Sequence, residues 1–215
     1  MPGKVFARAV HGQATYSREG ASHDLKANTT LEAGVTITTG PDSYVYVDVN
    51  GTTSSVRIAA ETILALKTVD RVGPRREGET ETMLVLQVGS VLGRVPKLPA
   101  NSKFEITTPC GVAGVRGTDW SVVVTQLGAS QYEATFQSVQ GALVASAPAA
   151  GSMETRTLKG GEAWTVGRDV VPVERKVLRR QLDQIDEMIR AAAPPPGLGG
   201  PMPGQAPAAG AGPRH

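Results

Sequence analysis

The sequence predicts an all-β protein of many short strands, followed by one amphipathic helix near the C-terminal end. Glycine and proline are frequent, with 25 and 15 residues among 215. They separate short runs rich in valine and threonine, which is the composition of a turn-rich β protein rather than of a helical bundle. The length allows one good core or two small ones, and we expect a single domain with appendages.

The clearest strand pair lies in the first third of the chain, in the segment SYVYVDVNGTTSSVRI. Three valines of its first arm alternate with Tyr44, Tyr46 and Asp48, and the alternation resumes in the second arm. Asn50-Gly51 between the arms offers a two-residue type I′ turn. The segment therefore predicts a β-hairpin with the valines in the core.

Tyr44 and Tyr46 would lie on the face opposite these valines. Two exposed tyrosines on one side of a strand can stack on a sugar or anchor a protein partner, so they form a possible binding surface. Alternatively, the two rings are covered by a second layer of the structure. The alternation allows both interpretations.

Residues 70–82, DRVGPRREGETET, are polar, charged and glycine-containing, and we expect them to form an exposed loop. About six further short strands, again separated by Gly or Pro, follow up to residue 168. Because the loop is too short for a domain linker, both blocks should share one core in a domain of residues 5–168.

The apolar period then changes from two to about 3.6 residues, which predicts a helix over residues 174–192 that ends before three prolines. Its apolar stripe consists of Leu178, Leu182, Ile185 and Ile189. An isolated helix of this length is marginal in water, so the stripe must dock on the β domain or associate with another helix. Residues 193–215 are rich in Pro, Gly and Ala and predict a disordered tail.

Composition excludes several classes of partner. The net charge is only +2 and the charges are scattered, so we expect no nucleic acid partner. No stretch approaches the roughly 18 apolar residues of a membrane span, and the first residues lack the apolar region of a secretory signal. We expect either an exported chain whose signal has been removed or a cytoplasmic one.

Few residues could carry chemistry. A thiol nucleophile would combine Cys110 with His11 or His23 and with Asp119, but Cys110 follows a proline at a turn, where nothing lowers its pKa. The three histidines are dispersed, and no pair has metal-ligand spacing. We therefore predict no catalytic residue, no cofactor and no metal.

The segment ITTPCGVAGVRGTDWS places Arg116 between glycine-rich turn chemistry and an apolar strand. Under strict alternation Arg116 would share the inward side of Trp120, and its buried guanidinium would need backbone carbonyls as partners. A bulge at Gly114 or Gly117 would instead leave Arg116 at the edge, with Thr118 and Trp120 inside. Both readings give the arginine a structural role; the alternative is an arginine poised for an anionic ligand.

The longer segment TPCGVAGVRGTDWSVVV is similar to the motif of the FecR domain, the periplasmic regulatory module of bacterial cell-surface signalling systems. In that motif a Thr-Pro, an apolar-glycine run and Val-Arg-Gly-Thr precede an aromatic residue and alternating valines. Three other segments resemble further parts of the family in the same order. They are LEAGVTITTGPDSYVYVDVNGTTSSVRI, VQGALVAS and LKGGEAWTV.

The resemblance implies an all-β, solenoid-like or sandwich-like domain without a catalytic centre, used for protein contact and signal relay. Its motif residues, expected to be structural, are Gly114, Arg116, Gly117, Thr118 and Trp120. It also implies a periplasmic or exported location and another envelope protein as partner. Because the chain has neither a membrane span nor an upstream sigma-binding segment, we expect a stand-alone member. The alternative function is a carbohydrate-binding β module that uses Tyr44 and Tyr46.

Overall fold

A computed structural model describes residues 2–50, 54–72, 78–149, 151–173 and 175–191. Over these residues the chain forms 17 β-strands and one α-helix, which confirms the predicted class. The strands are β1 Val5–His11, β2 Ala14–Arg18, β3 Ala21–Asp24, β4 Thr30–Leu31, β5 Val35–Thr39, β6 Tyr44–Val49, β7 Ser54–Ile58, β8 Ile63–Val72, β9 Glu79–Val95, β10 Lys103–Thr108, β11 Gly111–Val115, β12 Thr118–Gly128, β13 Gln131–Gln140, β14 Ala142–Ala149, β15 Ser152–Lys159, β16 Glu162–Thr165 and β17 Val170–Pro172. The helix α1 spans Arg175–Ala191.

The strands form two sheets that share the long strand β9. Sheet I has the order β3-β2-β5-β8-β9-β10-β11-β14-β15. Sheet II has the order β4-β1-β6-β7-β9-β12-β13-β16-β17. Neighbouring strands are antiparallel, except that β9 and β10 run parallel. The chain passes from sheet I to sheet II within β9, beginning at Gly89.

The two sheets pack face to face around one apolar core, so the fold is the sandwich rather than the solenoid. Both blocks of predicted strands contribute to this core, as do the three valines of the predicted hairpin. The largest fully buried side chains are Trp120, Trp164 and Phe136. Burying one large apolar side chain stabilises a fold by about 1.5–3 kcal/mol, so the core between the two sheets is the main source of stability.

The predicted hairpin is present as β6 and β7, but its two-residue turn is wrong. Because Val49 pairs with Ser54, the connection comprises the four residues 50–53. Asn50 has a φ of 61°, a left-handed conformation that asparagine tolerates better than most residues. The other predicted turn residue, Gly51, lies outside the described residues.

The loop predicted for residues 70–82 is wrong at both of its ends. β8 continues to Val72 and β9 begins at Glu79, and these two residues pair. Thr80 and Thr82 are buried positions of this extension, so its inner face carries threonine where an aliphatic pattern would have revealed a strand. Residues 73–77 lie outside the described residues.

The helix lies on the outer face of sheet II, where it contacts β1, β6, β7, β9 and β13. It therefore forms a third layer over part of the sandwich. In the described part of the chain, no helix is both long and apolar enough to cross a membrane. The predicted tail, residues 193–215, lies outside the described residues.

Candidate functional site

The motif around Arg116 forms the connection between β11 and β12. β11 ends at Val115, β12 begins at Thr118, and Gly117 between them has a φ of 66°, which favours glycine. This interruption resets the alternation of side chains, so Thr118 and Trp120 face inward while Arg116 is exposed. Strict alternation through residue 116 is therefore wrong, and the arginine lies at the edge.

Hydrogen bonds join this connection to its neighbours. The Thr118 hydroxyl donates to the carbonyl oxygen of Ala142 at 2.7 Å and lies 3.2 Å from that of Arg116. The Arg116 guanidinium donates to the carbonyl oxygen of Leu98 at 3.4 Å. The motif thus links the β11–β12 connection to the β9–β10 connection, through Leu98, and to the start of β14, through Ala142, which is a structural role.

A cleft of about 310 Å³ opens beside this connection. Its walls include Arg94, Lys97, Gly117, Asp119 and Gln140. Arg94 and Asp119 form a bidentate pair, with Nε–Oδ1 and Nη2–Oδ2 distances of 2.8 and 3.0 Å. Since the guanidinium is committed to this carboxylate, the cleft lacks the free convergent cations of an anion site.

A second charged pair lies on the outer face of sheet II, where Arg8 donates to Asp48 at 2.7 Å and both side chains are almost fully buried. Burial raises the pKa of Asp48, and the hydrogen bond and charge of Arg8 oppose this increase only in part. Sequence reasoning missed the pair because Asp48 alternates with core valines, a pattern typical of a solvent-facing residue. Arg8 is the extra residue at a register shift in β1, between the pairs Ala7–Val47 and Ala9–Tyr46, so regular alternation would not have placed it beside Asp48.

Tyr46 is buried beneath the helix, with 4% of its surface exposed. It packs with Leu92, Val139 and Leu182 in a small apolar cluster separate from the main core. The prediction of an exposed tyrosine pair is therefore wrong for Tyr46, because α1 covers the outer face of β6. The alternative, that a second layer covers the ring, is correct for Tyr46, and the covering layer is α1.

Tyr44 is half-buried at the margin of the same face. His11 stacks on its ring at 4.7 Å between centroids and an interplanar angle of 13°. The guanidinium of Arg57 lies 5.0 Å from the same ring centroid. With Tyr46 also packed beside it at 5.2 Å, the ring already has three neighbours.

The helix docks through the first half of its predicted stripe. Leu182 is fully buried and Leu178 packs beside it. Polar contacts flank this seam: Asp183 lies 3.7 Å from Arg94, and Arg179 donates to Gln140 at 3.4 Å. The side chains of Ile185 and Ile189 lie outside the described residues.

The residues considered for a thiol nucleophile each contact a different partner rather than one another. Cys110 donates to the carbonyl oxygen of Tyr132 at 3.3 Å, burial raises the pKa of its thiol, and the charge of Glu133 raises it further. The other members contact different partners: His11 stacks on Tyr44, His23 packs against Tyr16, and Asp119 pairs with Arg94. Within the described ranges, no three His, Cys, Asp or Glu residues are grouped to hold a metal ion.

Exposed apolar side chains concentrate where β17 leads into α1. In the described part of the chain, the exposed large apolar residues are Leu127, Val144, Met153, Val170, Val171 and Val177. Three of these six lie within residues 170–177. Val170 pairs with the core residue Trp164 and therefore faces the opposite side of β17 from Val171, so we give the name β17–α1 strip to Val171 and Val177 alone. Val171 pairs with Ala163 and lies on the same outer face as α1, and β17 itself is the last strand of sheet II.

Comparisons with known proteins agree with this architecture. The model of the FecR protein family matches residues 35–142, half of the chain, including the connection at Arg116. Two crystal structures of a candidate anti-sigma factor from Parabacteroides distasonis ATCC 8503 are similar, with TM-scores of 0.51 and 0.50 and 12% identity. The matches cover 68% and 66% of this chain but only 63% and 61% of those chains, less than two thirds of their length. Among curated proteins, none matches the sequence.

Proposed function

Because the chain belongs to the FecR protein family, we propose that it is a non-enzymatic protein-binding module of the bacterial cell envelope. The domain predicted for residues 5–168, extended by β17 to Pro172, would form the module, and α1 would complete its surface. The proposal is supported by the family and by a fold similar to that of a candidate anti-sigma factor. It is also supported by two charged pairs, Arg94–Asp119 and Arg8–Asp48, whose groups bind each other. Envelope signalling modules act by contact between proteins, so the expected partner is another envelope protein.

The β17–α1 strip carries this proposal. Val171 and Val177 are 50% and 54% exposed, although large apolar side chains in the rest of the described chain are mostly buried. Two exposed cations of the helix, Lys176 and Arg180, lie within one turn of Val177. An apolar strip with a cationic rim fits an amphipathic, acidic segment of a partner protein.

The family motif would then act as scaffold rather than as contact surface. We assign structural roles to Arg116, Gly117, Thr118 and Trp120. At the fifth motif residue, Gly114, a Cβ atom would meet only the carbonyl oxygen of Val144 at 4.0 Å, so space does not require a glycine there. Trp120 fills the core, Thr118 and Arg116 tie neighbouring connections together, and Gly117 supplies the left-handed turn. Substitution of Arg116 would therefore alter stability before it altered binding.

The carbohydrate-binding alternative has less support, because neither tyrosine offers a ring face free of other contacts. A sugar would have to displace α1 to reach Tyr46, and it would have to compete with His11 and Arg57 for the ring of Tyr44. Stacking on sugars needs an accessible aromatic face. Protein contact is the function that the exposed surface supports better.

Site-specific photo-crosslinking in envelope extract of the source bacterium tests the proposal. A photoreactive residue at position 171 should capture one defined protein, whereas the same residue at position 127, equally apolar and exposed, should not. The double change Val171→Asp and Val177→Asp should abolish the capture, and Leu127→Asp should leave it intact. Equal capture from both positions, or capture that survives the double change, would contradict the assignment of this surface.

A further inference from the structure

One of the two edges of sheet I is the strand β15, and the other is the four-residue strand β3. Strand β15 contains eight residues and pairs with β14 without any shift in register. Among the described residues, β14 is the one strand whose backbone register pairs with it. The strand contains neither a proline nor a bulge, and six of its eight residues are exposed. A long, regular edge strand of this kind is a template for pairing with another strand.

The direction of its free backbone groups follows from the β14–β15 hairpin. Ala149 pairs with Ser152, so two residues separate the strands and this closing pair is hydrogen-bonded. The next pair, Pro148 with Met153, is then a non-hydrogen-bonded one, as a residue without an N–H group requires. By alternation, the N–H and C=O groups of Met153, Thr155 and Thr157 point away from β14, towards the free edge.

These three residues restrict how two copies of β15 could pair about a two-fold axis. Hydrogen bonds form only if the edge-facing residues of one copy meet those of the other, which allows axes at residues 154, 155 and 156 with substantial overlap. An axis at Glu154 or at Arg156 places that residue opposite itself, and like charges directly opposite one another destabilise a sheet.

An axis at Thr155 satisfies both the hydrogen-bonding direction and the charge requirement. Glu154 of each copy then lies opposite Arg156 of the other, so two cross-strand ion pairs form across the axis. Within one chain the two side chains are already in contact, with an Nε–Oε1 distance of 2.8 Å. In the dimer, negative and positive charges would therefore alternate around the two-fold axis. On the outer face Thr155 would meet its own copy, and Met153, 60% exposed in the single chain, would pack against Thr157.

We propose that this chain forms a two-fold symmetric homodimer by antiparallel pairing of β15 with β15 of a second copy, centred on Thr155. Hydrogen-bonding direction and charge select the same register independently. The interface uses the same patch on both copies, so it closes at two and does not propagate into fibres. It leaves the β17–α1 strip on the other sheet free for a different protein.

Cysteine crosslinking tests the register directly, in full-length protein that carries Cys110→Ser. Thr155→Cys should form a disulfide-linked dimer, because residues facing each other in a hydrogen-bonded pair have Cα atoms about 5.5 Å apart, within disulfide range. Thr157→Cys is the matched control: it faces residue 153 of the other copy, and its own copy lies about 13 Å away along the strand. A disulfide at 157 as fast as that at 155 would overturn the register.

Charge exchange tests the contact itself by sedimentation equilibrium. Glu154→Arg alone and Arg156→Glu alone should each cause loss of the dimer, and the double exchange should restore it, with circular dichroism confirming that every variant is folded. A monomer at all concentrations of the wild type, or a dimer that both single variants retain, would overturn the proposal. The changes at Val171 and Val177 should leave the dimer intact, which keeps this result separate from that for the envelope partner.

Discussion

Trp120 lies against the backbone of Gly93, its partner on the adjacent strand β9, so closely that a Cβ atom at position 93 would come within 2.4 Å of the indole Cζ2. The missing side chain of Gly93 is what makes room for the largest residue of the core. Phe104 packs on the same indole at 5.9 Å between ring centroids. This contact accounts for a glycine at position 93, between the apolar run before it and the end of β9.

Gly93→Ala should therefore overpack the core. We expect a loss of about 1–3 kcal/mol in the free energy of unfolding, measured by urea titration. Gly114→Ala is the matched control, because a Cβ there meets only the carbonyl oxygen of Val144 at 4.0 Å. Equal losses in the two variants would show that space around the indole is not the constraint.

Arg116 and Gly117 are adjacent in the motif, but their substitutions should differ in cost. Arg116→Ala removes one long hydrogen bond from an exposed side chain, so we expect a loss below about 1 kcal/mol. Gly117→Ala forces a side chain into the left-handed region and should cost about 1–2 kcal/mol. Thermal unfolding of both variants gives the order, and a larger loss for Arg116→Ala would reverse the assignment.

Asp48 should make stability depend on pH. Burial raises its pKa in the folded state above the ordinary value of 3.8, so between these two values the folded state binds more protons than the unfolded chain. The contribution of Asp48 to stability therefore falls as pH rises through this window. The difference in unfolding free energy, wild type minus Asp48→Asn, should decrease from about pH 3.8 upward and then level off. An increase with pH would mean that attraction to Arg8 outweighs burial.

Leu182 should hold α1 on the sandwich. Leu182→Ala removes the fully buried anchor of the helix, a change that typically costs about 2 kcal/mol or more. Hydrogen exchange should then lose protection in residues 175–191 while the strands stay protected. Val177→Ala, on the exposed side of the same helix, should preserve the protection; if it loses as much, docking does not depend on Leu182.

Cys110 should be a slow nucleophile. Because burial and the nearby charge of Glu133 raise the pKa of its thiol, the folded protein holds less thiolate at a given pH than the unfolded chain. Alkylation by iodoacetamide near neutral pH should be slower in the folded protein than in urea. Glu133→Gln should accelerate the reaction of the folded protein, and no change would exclude the electrostatic contribution.

Local sequence determined the features that depend on the period of side chains along one element. The valines of β6, the inward run that starts at Trp120, and the helical stripe with Leu182 were all predictable, because alternation and 3.6-residue spacing set which side chains share a face. The family motif could also be recognised from the sequence, because its glycines and the other motif residues lie within a few positions of Arg116.

Tertiary structure decided what covers each face and which strands meet. Tyr46 and Asp48 occupy outward positions whose burial depends on α1 and on Arg8, residues far away in the chain. Threonines at inward positions concealed the strands around residues 79–82, and the parallel pairing of β9 with β10 has no local signature. Side-chain period records the two faces of an element but carries no information about what packs on them, because that partner is chosen by long-range contacts.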